Sequence, residues 1–201
     1  MSESKIKVLV VMFVFAILIL SIAGGMFTFQ FEHNRNKNLP VLGQVKAFQL
    51  TDSNGKSFSL NELHGKVWIA SFIFTTCSDI CPMMTKNMAS LFRSFELVKG
   101  VHQVSFSVNP EYDSPDILKK FAEKFKADTT KWHFLTGPRE IIHELAVNSF
   151  KLGSIEEPTF HSSYFCLVDR NGYIRGYYEG INQEKVNALF KDAAKLSQER
   201  F

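Results

Sequence analysis

The sequence predicts an α/β sandwich carried behind an apolar N-terminal segment. Three observations lead there. Strand-like and helix-like segments alternate from Val45 onward, the apolar run Val67 to Phe74 shows no alternation, and the chain closes with a hairpin signal and an amphipathic helix. A strand buried on both faces reads as such an unbroken run. Strand–helix alternation around it calls for helices layered on a sheet.

The elements follow in order. Met1 to Lys7 is a short stub. Val8 to Phe31 contains no charged residue, and about 20 apolar residues span a bilayer. The run is long for a signal-peptide core and no A-x-A-like site follows it. Residues 8–31 are therefore expected to form an uncleaved transmembrane signal anchor, although Ser21-Ile22-Ala23-Gly24-Gly25 would suit a cleaved signal peptide. Lys5 and Lys7 before the span and Arg35 and Lys37 after it leave the charge bias nearly flat, and a long folded domain translocates regardless of such charges. The stub has no Arg and no room for a mitochondrial transit peptide. The expectation is a single-pass protein of a bacterial plasma membrane, its soluble domain on the extracytoplasmic side. Residues 32–44, polar and interrupted by Pro40, read as a tether, and residues 45–201 as the folded domain.

Within that domain, Phe48 to Leu50 and Ser57 to Leu60 flank Asp52-Ser53-Asn54-Gly55, a hairpin signal. After the buried strand Val67 to Phe74, Pro82 suits the first helical position, and Met84, Met88, Leu91 and Phe95 recur at helical spacing. Val104 to Val108 is the next strand. Ser114-Pro115-Asp116 opens a helix through Phe125, with Leu118, Phe121 and Phe125 as its apolar stripe. Trp132 to Leu135 is a short strand and Arg139 to Val147 a helix. Ser163 to Val168 and Tyr173 to Tyr178 pair across Asp169-Arg170-Asn171-Gly172, and Gln183 to Leu196 is the last helix.

Hydrophobic residues make up 45% of the 201, with twenty Phe among them, so a substantial core can be buried. The net charge of +3 is small and scattered, without a Lys/Arg-rich run or a phosphate-cradling glycine loop. No nucleic-acid partner is expected.

The segment Thr75-Thr76-Cys77-Ser78-Asp79-Ile80-Cys81-Pro82 carries the chemistry. Thiols at i and i+4 of a helix stand about 5–6 Å apart at Cβ. They can grip one soft metal ion or close a disulfide, which bridges Cα separations up to about 6.8 Å. A cysteine pair between the first long strand and its helix is the thioredoxin-like arrangement. A helix mouth favours a thiolate at Cys81, while Asp79 opposes it. A structural bridge closing so small a loop would stabilise little, so the pair is expected to be functional. His161 lies just ahead of the hairpin strand, where such a fold returns beside the cysteine-bearing helix. Two thiolates and an imidazole suit copper; zinc also accepts two Cys and one His with an open position. Cys166, Met84, Met88, Trp68 and Trp132 read as core, and Met83 lies off that stripe near the helix mouth. His33, His64, His102, His133 and His143 read as surface or satisfied residues.

Phe74 to Pro82, then Asn109-Pro110-Glu111-Tyr112-Asp113-Ser114-Pro115, Leu135-Thr136-Gly137, and finally His161 with Leu167-Val168-Asp169 and Ile174-Arg175-Gly176-Tyr177-Tyr178, resemble the Sco/SenC family. The resemblance covers residues 45–196 and the N-terminal anchor. It implies a thioredoxin fold that binds one copper ion, Cu(I) or Cu(II), through two cysteines and a histidine. Carried over by motif, these are Cys77, Cys81 and His161. It also implies a metallochaperone that helps build the CuA centre of cytochrome c oxidase subunit II. Ser78 replaces the family's usual proline and Asn109 its usual aspartate; Asp113 is retained. Copper binding needs reduced thiols, so a thiol reductant and a copper donor are implied partners. The alternatives are a thiol–disulfide oxidoreductase using Cys77 and Cys81 as its redox pair, and a copper- or redox-responsive sensor. CxxxC departs from the usual CxxC of such oxidoreductases, and nothing beyond the thiols marks a peroxidase.

Overall fold

A computed structural model describes residues 12, 13, 17, 19–21, 24, 39–78, 80–98, 100–152 and 163–199. The chain divides into two units, Met1–Asn38 and Leu39–Phe201. In the first, the described residues are helical, and the Ser21 hydroxyl donates to the Ile17 carbonyl at 2.8 Å. No helix among the described residues is long and apolar enough to cross a membrane. Most of the expected anchor lies outside them, as does the tether through residue 38.

The second unit is built on one eight-stranded sheet. Its strands are β1 (Gly43–Gln44), β2 (Gln49–Asp52), β3 (Ser57–Ser59), β4 (Val67–Ile73), β5 (Val101–Ser107), β6 (Trp132–Thr136), β7 (Tyr164–Val168) and β8 (Tyr173–Glu179). The order across the sheet is β1-β8-β7-β4-β5-β6-β2-β3. β4, β5 and β6 run parallel to one another, and every other pairing is antiparallel. The helices are α1 (Ile80–Ser94), α2 (Pro115–Lys124), α3 (Arg139–Glu144) and α4 (Gln183–Gln198).

Central strand β4 shows why the unbroken apolar run was needed. Val67, Ile69 and Ile73 pack into one core with Met84, Met88, Leu118, Leu189 and Leu196 of α1, α2 and α4. Trp68, Ala70 and Phe72 pack into a second core with Phe58, Leu63, Ile142 and Phe150. Both faces are covered, so neither set of alternate positions tolerates a polar residue without a partner. The result is the three-layer α/β sandwich.

Local chemistry sets the element ends. Ser114 caps α2, accepting from the Ile117 amide, with Pro115 first in the helix. Asn182 caps α4, accepting from Glu184 and Lys185. The β7–β8 turn needs Gly172, whose φ is +81°.

Four elements differ from the sequence expectation. Leu60, expected to end the strand from Ser57, instead opens a 3-10 turn, Leu60–Leu63, because Ser59 and Glu62 form a capping box. Helix α1 begins two residues before Pro82, which sits within the first turn, where its missing N–H has no intrahelical partner to lose. After α3 the chain makes a π turn, Leu145–Ser149, and delivers Phe150 between Trp68, Phe72 and Phe106. The last six residues of the expected tether belong to the folded unit: β1 pairs with β8, and Arg175 Nε donates to the carbonyls of Leu39 (3.2 Å) and Pro40 (3.1 Å).

Candidate metal centre

β4 ends at Ile73, and the chain turns at Thr75-Thr76, closed by the Cys77 amide donating to the Phe74 carbonyl at 3.2 Å. Four residues later Cys81 enters the first turn of α1. Cys77 is half-buried and Cys81 is 2% exposed. Neither thiol is in a disulfide, and their side chains are in hydrogen-bonding contact. Cys77 stands in the loop before α1 and not one helical turn below Cys81, so the loop rather than an i, i+4 helical pairing brings the two side chains together, with one of them near the surface.

Burial wins over the helix dipole at Cys81. Desolvation pushes its thiol up to about 12, helped by the contact with Cys77 and opposed by a backbone hydrogen bond from Phe74. The resting pair therefore holds the Cys81 proton at neutral pH. A soft cation must displace that proton, since the thiolate is the ligating form.

The loop is held from below by Asp113, which is 0% exposed. Its Oδ2 accepts from the Thr75 amide at 3.1 Å and from the Ser107 hydroxyl at 2.6 Å; its Oδ1 accepts from the Thr75 hydroxyl. Ser107 Oγ also accepts from the Asn109 amide at 3.1 Å, and the Asn109 carbonyl accepts from the Asp113 amide at 2.9 Å. Sequence reasoning did not find this pairing. Thr75 and Asp113 are 38 positions apart, and nothing local signals that they meet.

Beside the loop, Phe74, Val108, Asn109 and Arg139 line a cavity of about 110 Å³. Arg139 grips Glu111 with both arms, Nε to Oε1 at 2.6 Å and Nη2 to Oε2 at 2.5 Å. That pairing holds the Glu111 carboxyl below its usual range. Asn109, where a family aspartate was expected, thus borders the dithiol loop without touching either sulfur through any described hydrogen bond.

His161 and Asp79 lie outside the described residues. Among the described residues, no group of three or more His, Cys, Asp or Glu side chains forms a metal site. Cys166 is fully buried in β7, and Met84 and Met88 are each 1% exposed, as expected of core. Met83 is 53% exposed in the first turn of α1. His102 and His133 depart from the expectation of surface or satisfied residues. Their rings stack at 5.8 Å, and His102 Nδ1 and His133 Nε2 are buried without a protein partner.

The SCO1/SenC family model matches residues 40–196. The chain belongs to the SCO1/SenC family. A SCO1/SenC family lipoprotein from Bacillus anthracis is 37% identical, with a TM-score of 0.72, over 79% of this chain and 98% of that one. BsSco is 36% identical, with a TM-score of 0.72, over 81% of this chain and 98% of its own. It is a member of the Sco family of cytochrome c oxidase assembly proteins in which a disulfide switch has been identified. ScoI of Arabidopsis thaliana, solved with copper bound, is 26% identical, with a TM-score of 0.63, over 77% of this chain and 96% of that one. The thioredoxin-like fold expected from the cysteine pair is the Sco fold of these structures.

Proposed function

We propose that this Sco chain is a membrane-anchored copper metallochaperone. Cys77 and Cys81 hold one copper ion, His161 completes the site, and the client is the CuA centre of cytochrome c oxidase subunit II. One observation carries the reading: two thiols outside any disulfide meet at the mouth of α1, one of them reachable from solvent. Such a pair gives a soft cation two sulfur donors without rearrangement of the core. Copper in ScoI and the oxidase-assembly role of BsSco's family support the choice of metal and client. Support for His161 comes from its neighbours. The Ser163 carbonyl accepts from the Gly180 amide at 2.6 Å, and the Gly180 carbonyl accepts from Asn87 of α1 at 2.7 Å. The chain two residues past His161 is thereby joined to the cysteine-bearing helix.

Residues 8–31 would span a bacterial plasma membrane, leaving 1–7 in the cytoplasm and the folded domain outside. Met12, Phe13, Ile17, Ile19 and Leu20 are helical and expose apolar side chains.

The test is an anaerobic copper titration of the reduced full-length chain beside His161→Ala. The proposal expects one copper per chain, bound more weakly without the imidazole. BsSco's disulfide switch favours a second reading, a thiol–disulfide oxidoreductase. That reading expects fast exchange with client thiols, unchanged by His161→Ala.

A further inference from the structure

We infer that Asp113 is the positioning residue of the dithiol loop: through Thr75 it sets where the Cys77 sulfur stands relative to Cys81. The inference rests on the reading of Cys77 and Cys81 as the working pair. Cys81 is fixed by α1 and by burial at 2% exposure. Cys77 precedes the helix, at the end of the turn Phe74 to Cys77, and within that turn Thr75 is tied twice to one carboxyl, by its amide and by its hydroxyl.

The carboxyl is itself immobilised. It accepts from Ser107 at the end of β5, its own amide donates to Asn109, and it is fully buried. The ends of β4 and β5 are already joined by the Val108 amide donating to the Ile73 carbonyl at 2.8 Å. Asp113 extends that rigid junction by one turn, up to the residue two before Cys77. No cation from the described residues pairs with it through a salt bridge, so its hydrogen bonds run to the loop and to the end of β5. A carboxyl that supports a ligand-bearing loop in this way fixes the ligand's orientation, and loss of such a partner typically lowers metal affinity by about 10–100-fold.

The same clamp acts on the metal-free protein. A fixed turn raises the effective concentration of one thiol at the other, which favours the disulfide over the open dithiol. Oxidation joins the two sulfurs and releases two protons and two electrons to an acceptor disulfide such as oxidised glutathione, which leaves as two thiols.

The test uses the full-length chain and the variants Asp113→Asn, Thr75→Val and Ser107→Ala, with Asp169→Asn as a control at the other end of the sheet. Three quantities are read: the Cys77–Cys81 disulfide equilibrium against glutathione without metal, the copper(I) affinity by competition with a coloured chelator, and the melting temperature. Asp113→Asn is expected to weaken the disulfide about tenfold, a potential shift of about 30 mV, and to weaken copper binding by about tenfold or more. Thr75→Val should produce a smaller shift of the same sign in both, and Ser107→Ala a smaller one still. Asp169→Asn should lower the melting temperature and leave both equilibria unchanged. Equilibria that stay at the wild-type value while the melting temperature falls would overturn the inference and leave Asp113 a fold residue only. If Asp113→Asn fails to fold, Thr75→Val decides the matter. If the wild-type chain binds no copper, the metallochaperone reading fails, and the disulfide equilibrium still decides the role of Asp113.

Discussion

Asp113 and Asp169 stand at opposite ends of β4, both buried and both organising a loop, and their partners differ. Asp169, at the end where β4 begins, forms an ion pair with Arg175 at 2.7 Å, with side chains 2% and 9% exposed. It also takes the amides of Asn171 and Tyr173 at 3.0 Å each. Arg175 in turn reaches the Leu39 and Pro40 carbonyls, so this end joins the hairpin to the point where the chain enters the domain. Asp113, at the end where β4 finishes, binds two hydroxyls and one amide among the described residues. The ionic end fixes the fold's entry point. The hydroxyl end fixes a loop that carries chemistry.

Breaking the ionic end should have the largest effect. Arg175→Ala leaves Asp169 buried without its cation and strips donors from two carbonyls. Loss of one partner of a buried pair costs about 3–5 kcal/mol, to be read by urea unfolding. Copper bound per folded chain should stay at the wild-type level; a loss of copper binding in the folded fraction would erase the contrast between the two ends.

Asp113→Asn comes next. Its cost in stability should be roughly 1–3 kcal/mol, the range for leaving a buried donor without its acceptor. A destabilisation larger than that of Arg175→Ala would reverse the ranking proposed here.

The two ends should also respond to opposite pH extremes. His102 pairs in register with Trp68 near the start of β4, and its ring stacks on His133. Desolvation lowers both to about 4 from an ordinary 6.5, with Lys66 adding to the effect on each and Lys131 on His102. Asp128 opposes the shift at both rings, and Asp52 and Glu62 oppose it at His133. Between those values the unfolded chain binds more protons, so this contribution is complete above about pH 6.5 and is lost as pH falls toward 4. The rings are partly exposed, and solvent screening holds the loss to on the order of 1 kcal/mol per ring. Melting curves at pH 7 and pH 5 should separate for the wild type and converge for a His102→Gln/His133→Gln double variant.

Cys81 works in the other direction. Its raised value, about 12 against an ordinary 9.0, contributes stability below pH 9 that is lost as pH climbs toward 12. Hydrogen-exchange protection, taken relative to the intrinsic rate at each pH, should therefore fall at the dithiol end in alkali and at the histidine end in acid. A uniform fall in protection across the sheet in both would contradict the assignment.

Much of this architecture was legible in the sequence because it is local. The unbroken run of β4, the Ser-Pro start of α2 and the Asp-Arg-Asn-Gly hairpin each carry their signal within a few residues. Strand β1 was not legible, since two residues pair only because Arg175 and β8 receive them. The π turn after α3 depends on the pocket that Phe150 fills. The capping box Ser59–Glu62 was present in the sequence and went unread. At the site, the cysteines meet through the loop before α1 and not through the helical i, i+4 spacing expected of them, and burial set the proton on Cys81 where the helix dipole alone suggested a thiolate. The Asp113 clamp joins residues that only the fold brings together.

The central claim is that the touching thiols are a copper site. X-ray absorption on the copper-loaded, reduced full-length chain tests it most directly. Two sulfur and one imidazole-type nitrogen neighbours per copper are expected, with one sulfur lost in Cys77→Ala and the nitrogen lost in His161→Ala. A copper shell of nitrogen and oxygen alone, unchanged in Cys77→Ala, would contradict it.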